Sequence, residues 1–93
     1  MSDEPTIART VRVHGRVQGV FFRDSCRREA DELGVSGWAS NEPDGSVTAF
    51  FEGPVAAVEA MVDWSRRGSR QSVVERVDVE QAQPTGSTAF RVR

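Results

Sequence analysis

Residues 15–23 read Gly15-Arg16-Val17-Gln18-Gly19-Val20-Phe21-Phe22-Arg23, and two different periodicities meet there. Before the segment, Thr10-Val11-Arg12-Val13-His14 alternates in the manner of a half-buried strand, with Val11 and Val13 on the core face. After it, Phe22, Cys26, Ala30 and Leu33 recur at helical spacing on one face. The pattern predicts a strand over about 7–14, a loop, and a helix over about 22–33 stopped by Gly34. Gly15 and Gly19 stand at the two ends of the loop, where glycine permits φ > 0 and close approach of another group. Successive N–H groups in such a loop can face one concavity and form an anion nest. The helix adds its own free N–H groups and the positive end of its dipole.

The residues missing from this junction are informative too. A helix starting near Phe22 calls for Ser, Thr, Asp or Asn just before it. Gly19, Val20 and Phe21 occupy those positions, and none carries a side-chain acceptor. The first helical N–H groups therefore look to water or to an anion. Arg23, in the first turn, presents a rigid fork of donors that matches phosphate oxygens. No Gly-Lys-Ser/Thr ending follows, so ATP with Mg²⁺ is not expected, nor any metal or other cofactor.

At 93 residues the chain suits one domain, with residues 1–6 expected as a flexible tail. No apolar run approaches the roughly 20 residues of a membrane span, and the acidic start has no signal-peptide pattern. The single Cys26 excludes an internal disulfide and fits a reducing, cytoplasmic setting. A net charge of −2 argues against nonspecific nucleic-acid binding. His14 falls on the polar face of the first strand and is read as a solvated surface residue, not a general base.

Further along, a strand over about 35–41 contains Trp38, and Glu42-Pro43-Asp44-Gly45 makes a turn. A strand over 46–52 puts Val47, Ala49 and Phe51 on one face, completing a hairpin. Pro54 is expected at the first position of a second helix with Val55, Val58, Met61 and Val62 as its apolar stripe and Trp64 at its flank. Arg66, Arg67 and Arg70 complement that helix's C-terminus. A strand over about 73–82 with Val77 and Val79 inward, and a short one over 88–92 with Phe90 and Val92 inward, finish the chain.

The order β-α-β-β-α-β plus a terminal strand predicts an α+β, ferredoxin-like sandwich: an antiparallel sheet with two helices on one face. Right-handed crossovers make the first two strands parallel, which brings Asn41 to the same sheet edge as the Gly15–Val20 loop and Arg23.

With these residues placed, the chain resembles the acylphosphatase family. The family's first signature, Val-x-Gly-x-Val-Gln-Gly-Val-x-Phe-Arg, is matched by Val13 to Arg23 at every specified position. Its second is matched by Gly37-Trp38-Ala39-Ser40-Asn41, then Gly45-Ser46-Val47 and Gly53. Ser40 departs from the long polar side chain usual there and is expected to tune surface charge. The resemblance implies a metal-independent hydrolase that cleaves the carboxyl–phosphate bond of small acyl phosphates. It implies that the amides of Gly15, Arg16, Val17, Gln18, Gly19 and Val20, with Arg23, hold the phosphoryl group, while Asn41 holds the attacking water. Inorganic phosphate would be product and inhibitor, and the protein a monomer without nucleic-acid or membrane partners. Such chemistry needs mainly positioning and charge stabilisation, which fits a site with neither nucleophile nor base. Two rivals are weighed. One is a non-catalytic module binding acyl or carbamoyl phosphate, like the related domain that opens a larger hydrogenase-maturation carbamoyltransferase; the free-standing length disfavours it. The other is an RNA-binding sandwich, disfavoured because the open face of the first strand carries Thr10, Arg12 and His14 and no aromatic.

Overall fold

The computed structural model describes residues 5–93. The elements are β1 (Thr6–Arg16), α1 (Phe22–Leu33), β2 (Ser36–Asn41), β3 (Val47–Pro54), α2 (Val55–Arg67), β4 (Val73–Ala82) and β5 (Phe90–Val92). The five strands form one sheet in the order β4-β1-β3-β2-β5. β1 and β2 each pair antiparallel with β3, so they run parallel to one another, as the crossover rule requires. Thr6, expected within a flexible tail over residues 1–6, pairs with Pro54 in the sheet; residues 1–4 of that expected tail lie outside the described residues.

The sheet is mixed, which corrects the expectation of a wholly antiparallel one. β5 pairs in parallel with β2 through Gly37↔Phe90 and Ala39↔Val92. The chain leaves β4 on one edge and must cross to the opposite edge to place β5. Glu52 of β3 is the fixed point of that crossing. Its carboxylate accepts from the Thr85 N–H (3.0 Å), the Thr85 hydroxyl (2.6 Å), the Gly86 N–H (3.1 Å) and the Ser87 N–H (3.1 Å). Burial alone would raise its pKa, but the hydrogen bonds from Thr85, Ser87 and Gly86 outweigh that and hold it below the ordinary value.

Both helices pack on the face carrying Val11, Val13, Ala39, Val47, Ala49 and Phe51. From α1 come Phe22, Cys26 and Ala30; from α2 come Val58, Met61 and Trp64. Trp64 does not merely flank its helix: it is buried, its ring 5.2 Å from that of Phe22. Pro54 is the N-cap residue of α2 and lies ahead of its first turn. Val77 is half-buried, but Val79 and Val92, expected inward, are each 39% exposed because β4 and β5 are the sheet's edges. Burial in this core pushes the Cys26 thiol pKa up strongly, helped by neighbouring Glu29.

The opposite sheet face is open and does carry aromatics, on strands other than β1. Trp38 and Phe50 stack with centroids 6.3 Å apart. They are not free platforms: the Arg93 guanidinium lies 4.4 Å over the Trp38 ring, and Phe50 is buried. His14, on the same face, is paired and not simply solvated. Its Nε2 lies 3.0 Å from the Asp78 carboxylate and 3.2 Å from Arg76.

Candidate active site

β1 runs two residues further than its alternation suggests, and this reshapes the loop. Gly15 and Arg16 are part of the strand, paired with Val74 and Val73 across a bulge that follows His14. Gly15 is required there by the sheet itself. At φ 129° a Cβ would stand 2.2 Å from the Val73 carbonyl oxygen. The connection to α1 is therefore residues 17–21.

Those five residues are held from below. Val17 and Val20 are buried in the core. The Gln18 carboxamide donates to the carbonyls of Glu42 (2.7 Å) and Ser46 (2.9 Å), tying the loop to the β2–β3 turn. That turn is itself fixed: the Asp44 carboxylate accepts from the Ser46 hydroxyl and N–H, which hold its pKa below the ordinary value. Buried Ser69, just past α2, donates its hydroxyl to the Val20 carbonyl at 2.7 Å.

With side chains and carbonyls so engaged, the N–H groups are left over. Among the described residues, the N–H groups of Gln18, Gly19, Val20 and Phe21 find no protein acceptor. Gly19 adopts φ 72° and has no atom within 4 Å of where a Cβ would be, so the backbone is open to approach. Phe21 occupies the N-cap position of α1 in the left-handed region (φ 60°, ψ 23°), and no side chain caps the helix. The missing cap expected at this junction is thus a structural fact. The result is a run of N–H groups without protein acceptors at the positive end of a twelve-residue helix.

A cleft of about 260 Å³ opens beside this run. Val17, Gly19, Phe21, Phe22, Arg23, Asp24, Asn41 and Val92 line it. Arg23 and Asn41, placed on one edge by topology, do share one cavity. Asn41 is the exposed last residue of β2. Half-buried Arg23 donates one guanidinium N–H to the main-chain oxygen of Arg93, which leaves its other donors for the cleft. Asp24, although it lines the cleft, is engaged in ion pairs with Arg27 (3.1 Å) and Arg28 (3.0 Å). His14 does not line the cleft. Of the expected loop residues, Val17 and Gly19 line it; Gly15 and Arg16 belong to the strand, and Gln18 and Val20 act as anchors. Sequence reading missed the Gln18 and Ser69 side chains as supports, and Phe21 and Val92 as walls. Only an exposed apolar residue in a capping position, Phe21, left a signal in the sequence.

The family model for acylphosphatase matches residues 9–92. The chain belongs to the acylphosphatase family. It is 48% identical over 90 residues to an acylphosphatase of Gloeobacter violaceus, covering 92% of this chain and 97% of that one. The fold superposes on the structure of an acylphosphatase from Coxiella burnetii with a TM-score of 0.92, at 34% identity and full coverage of both chains. It also superposes on T. kodakarensis HypF with a TM-score of 0.80 and 26% identity, covering 94% of this chain but 12% of that one. The acylphosphatase family comprises acylphosphate phosphohydrolases, and the ferredoxin-like α+β fold expected of such a member is the fold observed.

Proposed function

We propose that this acylphosphatase-family protein hydrolyses small acyl phosphates to a carboxylate and inorganic phosphate. The observation that carries the reading is the run of free N–H groups from Gln18 to Phe21 beside Arg23. Those amides and the guanidinium bind the phosphoryl oxygens and stabilise the charge that develops on them. The Asn41 carboxamide accepts from the attacking water through its oxygen and orients it. Water oxygen bonds to phosphorus and the bond from phosphorus to the carboxyl oxygen breaks. The carboxylate leaves with that electron pair, and the water's proton passes to phosphate or solvent. A carboxylate is a good leaving group, so this scheme asks for no general acid and no resident metal. Inorganic phosphate, the product, competes for the same amides. We further propose that the protein acts as a monomer in the cytoplasm, with the whole chain as one domain.

The likeness to HypF, a protein in which the matching region is a small part, supports a second reading: binding of acyl or carbamoyl phosphate without turnover. Phosphate release from acetyl phosphate separates the two. The wild type should turn over with a chelator present, and Arg23→Gln should lose at least about a hundredfold in kcat/KM while remaining folded. Phosphate should protect the wild type against heat and the variant much less. Near-normal hydrolysis by folded Arg23→Gln would reject the site.

A further inference from the structure

Phe21 is unexplained by the fold. It is 70% exposed, so its ring contributes little to the core. Among the described residues it is the only non-glycine with positive φ. Glycine or asparagine would hold that conformation at lower cost than a bulky side chain. The ring nevertheless stands at the cleft that contains Arg23 and Asn41. Val92, another exposed apolar side chain, lines the same cleft. One end of the cleft thus offers donors for a dianion, and its wall offers an aromatic ring and a branched aliphatic group. An acyl phosphate is built with the same polarity, a charged phosphoryl group joined to an organic body.

Resting on the function proposed above, we infer that Phe21, with Val92 beside it, receives the acyl group and selects acyl phosphates with an aromatic acyl group over acetyl phosphate. Burying an acyl ring against Phe21 removes apolar surface of both from water, and offset or edge contact between rings adds to this. A methyl group reaches much less of that surface.

The test measures kcat/KM for benzoyl phosphate and acetyl phosphate and takes their ratio. Phe21→Asn keeps a residue that tolerates the left-handed conformation and removes the ring. Phe21→Leu keeps apolar bulk. The wild type should prefer benzoyl phosphate, the Asn variant should lose about tenfold of that ratio, and the Leu variant should fall between. A general disturbance of the loop would slow both substrates alike and leave the ratio in place, which would overturn the inference. So would a wild type with no preference for benzoyl phosphate. A wild type that hydrolyses neither compound would overturn the proposed function itself, an outcome read without any variant.

Discussion

Glu52→Gln should cost about 2–4 kcal/mol of stability at pH 7, an effect large for a single surface-loop tether. Glu52 is 3% exposed, and its two oxygens accept four hydrogen bonds from three consecutive residues, Thr85 to Ser87. Hydrogen bonds to a charged acceptor contribute roughly 1.5–3 kcal/mol each, against about 1 for neutral ones. Glutamine keeps the shape but offers one carbonyl oxygen; its NH₂ would face N–H groups that also donate. Two of the four bonds are then lost and the other two weakened. The loop residues are exposed and their amides can turn to water, which keeps the loss at the lower end of the simple sum. For a chain of this size the melting temperature should fall by roughly 10–25 °C. The pH dependence has a definite sign. The folded-state pKa is depressed, so the stabilisation is fully present above the ordinary value of 4.5 and is lost as pH falls through the folded-state pKa. Wild type and Glu52→Gln should therefore converge as pH falls below 4.5 and through the folded-state pKa. Thermal unfolding followed by circular dichroism across that fall in pH is the assay. A fall of under about 2 °C at pH 7, or an equal gap at pH 7 and pH 3, would refute the reasoning.

Other outcomes follow from the cleft. Asn41→Ala should lower kcat while leaving inhibition by phosphate nearly unchanged, because in the proposed mechanism Asn41 meets the water and the loop amides meet the phosphoryl group; loss of phosphate binding with kcat would mean that it shapes the nest. His14→Ala should keep activity within a few-fold, and its exposed pairing with Asp78 should be worth under about 1 kcal/mol; a large loss of turnover would bring His14 into the reaction. Activity of the wild type should be unaffected by a chelator in a phosphate-release assay, and abolition would demand a metal.

Most of the fold was legible because local and global signals agree. The alternation around Val11 and Val13, the helical stripe Phe22, Cys26, Ala30, and the stop at Gly34 all survive in the structure. The differences lie where edge position decides. Val79 and Val92 have the right parity for the core, yet an edge strand has a neighbour on one side only, and alternation cannot say which strand is the edge. The direction of β5 was likewise hidden, since it depends on a tether between residues 33 or more apart, Glu52 and Thr85. Trp38 read simply as the large apolar residue of its strand; Ala39 faces the helices instead, and Trp38 packs on Phe50 under Arg93.

The candidate site was legible through a rule that fails. Helix starts favour a capping side chain, and this one has Phe21 in a left-handed conformation with no cap. What sequence reasoning could not supply was the reason the loop keeps its shape without one. Val17 and Val20 point into the core, Gln18 is bound to the β2–β3 turn, and Ser69 holds the Val20 carbonyl. Three of these contacts join residues 24 to 49 positions apart. They fix the main chain from beneath and consume acceptors and side chains, while the donors stay free above. A loop held this way does not need the anion in order to form, so little of the binding energy is spent on ordering it, and under the proposed function its donors stand ready for the phosphoryl charge. That is the condition the proposed mechanism sets for stabilising a transition state with backbone amides, and it rests on supports, the Gln18 and Ser69 side chains, that do not line the cleft.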